Sequence, residues 1–256
     1  MTDLTACLGF IDLTSLNTTD TDAKIEAMVR KVNEFPQHFP HLPNVAAICV
    51  YPSFTGLVRK TLTVPNVRIA VTGAGFPSSQ TFLKIKTKEC RMAVEEGADE
   101  IDIVLSLNYF LSGKYEKTAE EVTSIKNAIG KAHLKVILES GTLHNPEAIT
   151  QASRIAIEAG ADFIKTSTGK SEPAATPEAA RVMCQAILEH HQKTGKQVGF
   201  KPAGGIVTVE DALTYFAIVH QTLGSEWLTP KLFRIGASRL VNNLLGAITG
   251  APVTYY

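Results

Sequence analysis

Two hydrophobic periods alternate along this chain. Short runs of mostly apolar residues fall at 10–14, 45–51, 67–72, 100–105, 134–139, 162–166, 197–201 and 232–236. Runs of this length, rich in Val, Ile and Phe, predict strands covered on both faces, as in a parallel sheet. Between most of them apolar residues recur every three or four positions. Residues 118–131 place Val122, Ile125 and Ile129 on one helical face. Asn145-Pro146-Glu147 and Thr176-Pro177-Glu178 each supply an N-cap, a proline at the first helical position and an acid in the first turn. Gly97, Gly160 and Gly195 each follow a helical pattern, where a left-handed glycine is expected to end a helix.

Eight strand–helix units in 256 residues allot 32 residues to each. A faint internal echo has the matching spacing. Glu-Glu-Gly-Ala-Asp-Glu-Ile-Asp at 95–102 returns as Glu-Ala-Gly-Ala-Asp-Phe-Ile-Lys at 158–165, an offset of 63 residues, close to two units. The pattern predicts an α/β chain folded as a (β/α)8 TIM barrel, a single domain over 1–256 with a short C-terminal tail. The competing architecture is an open doubly wound sheet, which wants a glycine-rich turn after its first strand. Asp12-Leu13-Thr14-Ser15-Leu16-Asn17 offers none.

Composition narrows the function classes. Lys plus Arg and Asp plus Glu are both 25, so no global basic field exists to hold nucleic acid or an anionic membrane. No stretch reaches the roughly 18 consecutive apolar residues of a membrane span. The N-terminal Met1-Thr2-Asp3-Leu4 opens no signal sequence. The cysteines at 7, 49, 90 and 184 are too widely spaced for a zinc ligand set and read as reduced thiols of a cytoplasmic protein. His190-His191 lies near a helix end without a carboxylate partner, and His38 and His41 flank Pro40 in a loop, so no metal site is expected.

Active sites of such barrels lie at the C-terminal ends of the strands. There, three charged residues interrupt apolar runs: Asp102 in Glu-Ile-Asp-Ile-Val-Leu, Lys165 in Asp-Phe-Ile-Lys-Thr-Ser, and Lys201 in Val-Gly-Phe-Lys-Pro-Ala. Buried charges are paired or functional. One reading is an ion pair filling a barrel layer. The other is chemistry: desolvation and repulsion between two ammonium groups lower a lysine pKa, and a neutral amine is what carbonyl attack needs. The trio then suggests a Schiff-base nucleophile, a lysine that tunes it, and an acid that handles protons. Cys49, at the end of the second run, either faces the substrate or packs as a small thiol.

Glycine and hydroxyl clusters follow the last three strands: Thr166-Ser167-Thr168-Gly169-Lys170, Ala203-Gly204-Gly205 and Gly236-Ala237-Ser238. Loops at these places of a barrel hold phosphate on backbone N–H groups, although ordinary turns also need glycine. Gly169-Lys170-Ser171 is not a P-loop, because the first glycine of that motif would have to stand where Ile164 does.

These motifs, with Gly-Ala-Asp-Glu-Ile-Asp at 97–102 and Ala-Ala-Ile-Cys-Val-Tyr-Pro at 46–52, closely resemble the deoxyribose-phosphate aldolase family. The likeness runs from Asp12-Leu-Thr-Ser-Leu-Asn to Phe233-Arg-Ile-Gly-Ala-Ser, nearly the whole chain. The resemblance implies a class I aldolase, a lyase without metal or other cofactor, in a (β/α)8 barrel. It implies reversible cleavage of 2-deoxy-D-ribose 5-phosphate to acetaldehyde and D-glyceraldehyde 3-phosphate, in deoxyribonucleotide catabolism. It also implies dimers or larger homo-oligomers. By the same resemblance Lys165 is the Schiff-base lysine, Lys201 lowers its pKa, and Asp102 transfers protons with an ordered water. Asp12, Thr14 and Cys49 match positions lining the substrate pocket, and Thr168 one near the sugar hydroxyls. Gly169, Lys170, Gly204, Gly205, Gly236 and Ser238 match a phosphate cradle, and Tyr256 a C-terminal tyrosine that assists proton transfer.

Two positions depart from the family pattern. Val207 stands where Arg often follows Gly-Gly-Ile, and Arg239 where Ser or Thr often follows Gly-Ala-Ser. Arg239 is therefore expected to supply the phosphate charge that position 207 lacks. Two alternatives remain at this level: another Schiff-base barrel aldolase with a different donor, and a non-catalytic barrel that binds a phosphorylated ligand.

Overall fold

The computed structural model describes residues 3–143 and 145–256. Met1 and Thr2, part of the stretch read for a signal sequence, lie outside the described residues. In chain order the elements are α1 (Asp3–Leu8), β1 (Ile11–Thr14), α2 (Asp22–His38), β2 (Ala47–Val50), α3 (Thr55–Thr61), β3 (Arg68–Gly73), α4 (Leu83–Glu95), β4 (Glu100–Val104), α5 (Leu107–Leu111), α6 (Tyr115–Ile129), β5 (His133–Ile137), α7 (Pro146–Glu158), β6 (Phe163–Lys165), α8 (Pro177–Thr194), β7 (Gly199–Lys201), α9 (Val209–Leu223), β8 (Ile235–Ala237) and α10 (Leu240–Thr249). All eight expected strands are present. All but β3 are shorter than the apolar runs because burial outlasts the hydrogen-bonded ladder: Val45 and Ala46 precede β2, and Thr166 follows β6, all buried.

Every strand pair is parallel, in the order β7-β6-β5-β4-β3-β2-β1-β8. Two parallel bridges, Phe200 with Phe233 and Ala203 with Gly236, bring the edge strands β7 and β8 together. The result is the expected (β/α)8 barrel rather than an open sheet. The predicted caps form: the Asn145 side chain accepts from the Ala148 N–H, and the Thr176 side chain from the Ala179 N–H. Gly97, Gly160 and Gly195 take positive φ at the ends of α4, α7 and α8. The helix expected over 118–131 starts earlier, at Tyr115, and stops at Ile129 before Gly130, whose φ is 59°.

Side chains on a strand alternate between faces. Ile48, Val50, Ile69, Val71, Ile101 and Ile103 belong to the main apolar core, which includes helix residues such as Val29, Cys90 and Ile125. The intervening set has a different chemistry: Ala47, Cys49 and Ala70 form a separate small cluster, and Asp12, Glu100, Asp102, Lys135, Lys165, Lys201 and Arg234 are buried charges. The barrel interior is therefore small and ionic, while the layer between strands and helices is apolar.

Candidate active site

Asp102 sits at the centre of the ionic interior. Its Oδ2 accepts from Lys165 Nζ at 2.8 Å and from Lys201 Nζ at 2.8 Å, while Oδ1 accepts from Lys135 Nζ at 3.1 Å. Lys201 Nζ also lies 2.5 Å from Asp12 Oδ2. Arg234 donates to Asp12 Oδ1 at 2.7 Å and to Glu100 Oε1 at 2.8 Å, and Lys135 pairs with Glu100. Room for the layer comes partly from Gly199, where a Cβ would lie 2.3 Å from the Phe163 ring. That ring lies 5.8 Å beneath both Lys135 and Arg234.

Among the described residues this network joins four cationic side chains, Lys135, Lys165, Lys201 and Arg234, to three carboxylates, Asp12, Glu100 and Asp102. With all seven charged, the buried layer carries one excess positive charge. An uncompensated charge in a low dielectric is expensive, so the network favours losing one proton. The amine that loses it most readily has the fewest carboxylate partners. Lys165 has one, Asp102, whereas Lys135 and Lys201 each touch at least two.

The titration tendencies follow that geometry. Burial lowers the Lys165 pKa, Asp102 opposes the shift, and the Lys201 ammonium adds to it, so the net direction is down. Burial also pushes Lys201 down, but Asp102 and Asp12 override it and hold Lys201 charged. Lys135 is raised in the same way by Asp102, Glu100 and Asp12 against burial. Asp102 is raised by burial and lowered further by Lys135, Lys165 and Lys201, so it stays ionised. An ion layer fills the barrel, and Lys165 is the lysine in it whose pKa is shifted down.

Lys165 is also the member of this network that reaches open space. It lines a cavity of about 590 Å³ at the C-terminal ends of β1, β6, β7 and β8. Thr14, Thr168, Gly169, Lys170, Gly204, Gly205, Gly236, Ser238 and Arg239 share that wall, so the residues expected to form the phosphate cradle and Lys165 open onto one space. Gly204 has φ 85°, and a Cβ there would lie 2.8 Å from that of Ala174, so the close approach of the two loops requires glycine. Arg239 is exposed at the start of α10, and Val207 also lines the wall. Lys170 is partly committed: its backbone N–H donates to Thr168 Oγ1 at 3.0 Å and its ammonium to the Leu16 carbonyl.

Asp12 and Cys49, expected at the substrate wall, are not part of it. Both are fully buried below the strand ends. Asp12 lies against Lys201 and Arg234, and Thr14, two residues further along the same face of β1, takes its place at the wall. Cys49 packs with Ala47 and Ala70, the small-thiol reading, and burial raises its pKa. Tyr256 does reach the cavity. Asn242 holds the tail by accepting from the Tyr255 and Tyr256 N–H groups and donating to the Tyr256 carbonyl. Burial raises the Tyr256 hydroxyl pKa.

Sequence reasoning missed Glu100, Lys135 and Arg234, although Lys135 and Arg234 interrupt apolar runs as Lys165 does and Glu100 opens one. It also missed Lys24 and Lys31, which bring α2 to the wall, and Glu139, which binds Thr168 from below. Among the described residues no group of three or more His, Cys, Asp or Glu is placed to hold a metal ion. Nor is any helix among them long and apolar enough to cross a membrane.

Comparison with known proteins points to one family. A deoxyribose-phosphate aldolase from Homo sapiens is 42% identical over 252 residues, covering 94% of this chain and 79% of the relative. The enzyme of the same name from Bos taurus is 40% identical over 261 residues, covering 96% and 82%. The solved aldolase QR15 superposes with a TM-score of 0.77 at 29% identity, covering 95% of this chain and 96% of the other. The family model for the DeoC/LacD aldolases matches residues 7–240, and the chain belongs to that family.

Proposed function

We propose that this chain is a deoxyribose-phosphate aldolase, cleaving 2-deoxy-D-ribose 5-phosphate reversibly to acetaldehyde and D-glyceraldehyde 3-phosphate. The carrying observation is the barrel interior: four cations share three carboxylates, and the lysine with one partner, Lys165, faces the cavity. Neutral Lys165 attacks the aldehyde carbon of the open-chain sugar. Loss of water gives a protonated imine, which acts as an electron sink. A base removes the C3 hydroxyl proton, the C2–C3 bond breaks toward the imine, and D-glyceraldehyde 3-phosphate leaves an enamine on Lys165. The proton is returned to C2, water adds to the resulting imine, and acetaldehyde departs with the amine restored. The sequence is redox-neutral. Asp102, ionised and in contact with both lysines, moves protons with Lys201 and a water.

Thr14 and Thr168 face the sugar. Gly169, Lys170, Gly204, Gly205, Gly236, Ser238 and Arg239 receive the phosphate, whose binding orients the reacting carbons. We read the chain as one barrel that works in the cytoplasm in deoxyribonucleotide breakdown; its four buried, unpaired cysteines suit a reducing compartment.

Borohydride trapping with acetaldehyde, read by peptide mass spectrometry, tests this reading. The expected product is a reduced two-carbon adduct on Lys165. Folded protein without an adduct there would overturn the mechanism. Transfer from dihydroxyacetone phosphate in preference to acetaldehyde would identify a different Schiff-base aldolase.

A further inference from the structure

Glu139 lies two residues beyond β5 with a backbone φ of 52°, in the left-handed region that residues with a β-carbon avoid. Its carboxylate is buried, and both oxygens are committed to one residue. Oε1 accepts from the Thr168 N–H at 3.0 Å and Oε2 from the Thr168 hydroxyl at 2.6 Å. The loop that carries Glu139 is wedged in place. The Thr142 N–H donates to the Glu139 carbonyl at 2.8 Å, and a Cβ on Gly141 would lie 1.8 Å from the Pro173 carbonyl oxygen. A strained conformation persists where its surroundings over-determine it, and such positions gather at functional sites.

This arrangement fixes the polarity of Thr168. A threonine hydroxyl has one hydrogen and two lone pairs. The hydrogen goes to Glu139, and one lone pair receives the Lys170 N–H at 3.0 Å. One lone pair remains for the cavity that Thr168 lines. The hydroxyl can therefore accept from a ligand but not donate to it. A phosphate or carbonyl oxygen gains nothing there, whereas a ligand hydroxyl does.

We propose that Glu139 is a positioning residue that holds Thr168 as an obligate hydrogen-bond acceptor, so that the site selects acceptor aldehydes with a hydroxyl beside the reacting carbon. The proposal rests on the aldolase reading and names the specificity of that same site. In Glu139→Gln the side-chain amide would donate to Thr168 Oγ1, whose hydrogen would then turn toward the cavity. The acceptor becomes a donor with little change in shape.

The test compares kcat/KM for acetaldehyde addition to D-glyceraldehyde 3-phosphate and to 3-phosphopropanal, which lacks the hydroxyl. The unchanged enzyme is expected to favour the hydroxylated acceptor by about tenfold, the worth of one well-placed hydrogen bond. E139Q is expected to bring the ratio to within about twofold of unity. In the Thr168→Val background, E139Q is expected to leave the ratio unchanged, because Glu139 acts through Thr168. An E139Q enzyme slowed equally toward both acceptors would overturn the proposal and leave Glu139 a structural residue. Should E139Q not fold, the unchanged enzyme carries the test. The 2-fluoro analogue of the acceptor, which cannot donate, is expected to behave like 3-phosphopropanal, and behaviour like the hydroxylated acceptor would overturn the assignment. An unchanged enzyme inert toward every acceptor would overturn the aldolase reading itself.

Discussion

Lys165 and Asp102 occupy the same position in two echoing segments 63 residues apart, and their side chains meet inside the barrel at 2.8 Å. The echo places each on the inward face of its strand, β4 and β6, two units apart around the ring. Equivalent places in the repeat thus carry opposite charges. Lys201, on β7, reaches the same carboxylate oxygen at 2.8 Å. Burial lowers the Lys165 pKa, and the Lys201 ammonium on the shared carboxylate oxygen adds to that shift against the pull of Asp102.

Replacing Lys165 separates chemistry from stability. Lys165→Met is expected to remove at least about 10⁴-fold of the aldol activity, as loss of a covalent nucleophile does. It also removes the excess positive charge while Asp102 keeps Lys135 and Lys201. Stability is therefore expected to be unchanged or to rise by about 1 kcal/mol, because an isosteric apolar side chain often does as well as a buried ion. Chemical denaturation checks this. A loss above about 2 kcal/mol would show that Lys165 is a structural partner of Asp102.

Lys201→Leu is expected to have the opposite character. It leaves three cations with three carboxylates, so the Lys165 ammonium becomes the charge that balances the layer. The Lys165 pKa should rise, and the rising limb of the activity–pH profile should move to higher pH. Asp12 and Asp102 lose a shared partner, and stability should fall by about 3–5 kcal/mol. A profile that stays in place with activity retained would rule out Lys201 as the group that tunes Lys165.

Most of the barrel is readable in the sequence because parallel strands buried on both faces are apolar at nearly every position, and the exceptions mark the interior. That signal gave Asp102, Lys165 and Lys201. It was equally present at Lys135 within Leu-Lys-Val-Ile and at Arg234 within Phe-Arg-Ile-Gly, and the period of two puts Glu100 beside Asp102 on one face. Burial depth was not readable. A pattern of two shows which side of the sheet Asp12 and Cys49 face but not how far below the rim they lie. The bond between Glu139 and Thr168 links two loops 29 residues apart, and no periodicity carries that contact.

Arg239 and Val207 share the cavity wall, so the substitution of a cation at one place for an apolar residue at the other can be tested by ligand charge. Arg239→Ala is expected to raise KM for 2-deoxyribose 5-phosphate by about tenfold and leave KM for unphosphorylated 2-deoxyribose within about twofold. Equal effects on both sugars would place Arg239 in the wall without a phosphate role. Val207→Arg in the R239A background is expected to restore part of the lost affinity.

The carboxylates of the interior also set the response to acid. Asp12, Glu100 and Asp102 are each raised by burial and lowered further by the surrounding cations, ending below their ordinary values of 3.8 for Asp and 4.5 for Glu. The unfolded chain therefore takes up protons at a higher pH than the folded one. The stability they contribute is fully present above about pH 4.5 and is lost as pH falls through the ordinary values toward the folded ones. Lys165 acts with the opposite offset to Lys135 and Lys201. Its folded pKa lies below 10.5, so its cost to stability fades as pH rises toward that value, whereas theirs is a gain lost only above it. Urea unfolding between pH 3 and 7 is expected to show a steep acid limb in the unchanged protein. Asp12→Asn should lower the plateau by about 3–5 kcal/mol, because Lys201 and Arg234 lose a partner, and should flatten the limb by removing one of the titrating groups. An acid limb of equal slope in both proteins would place the acid sensitivity outside the barrel interior.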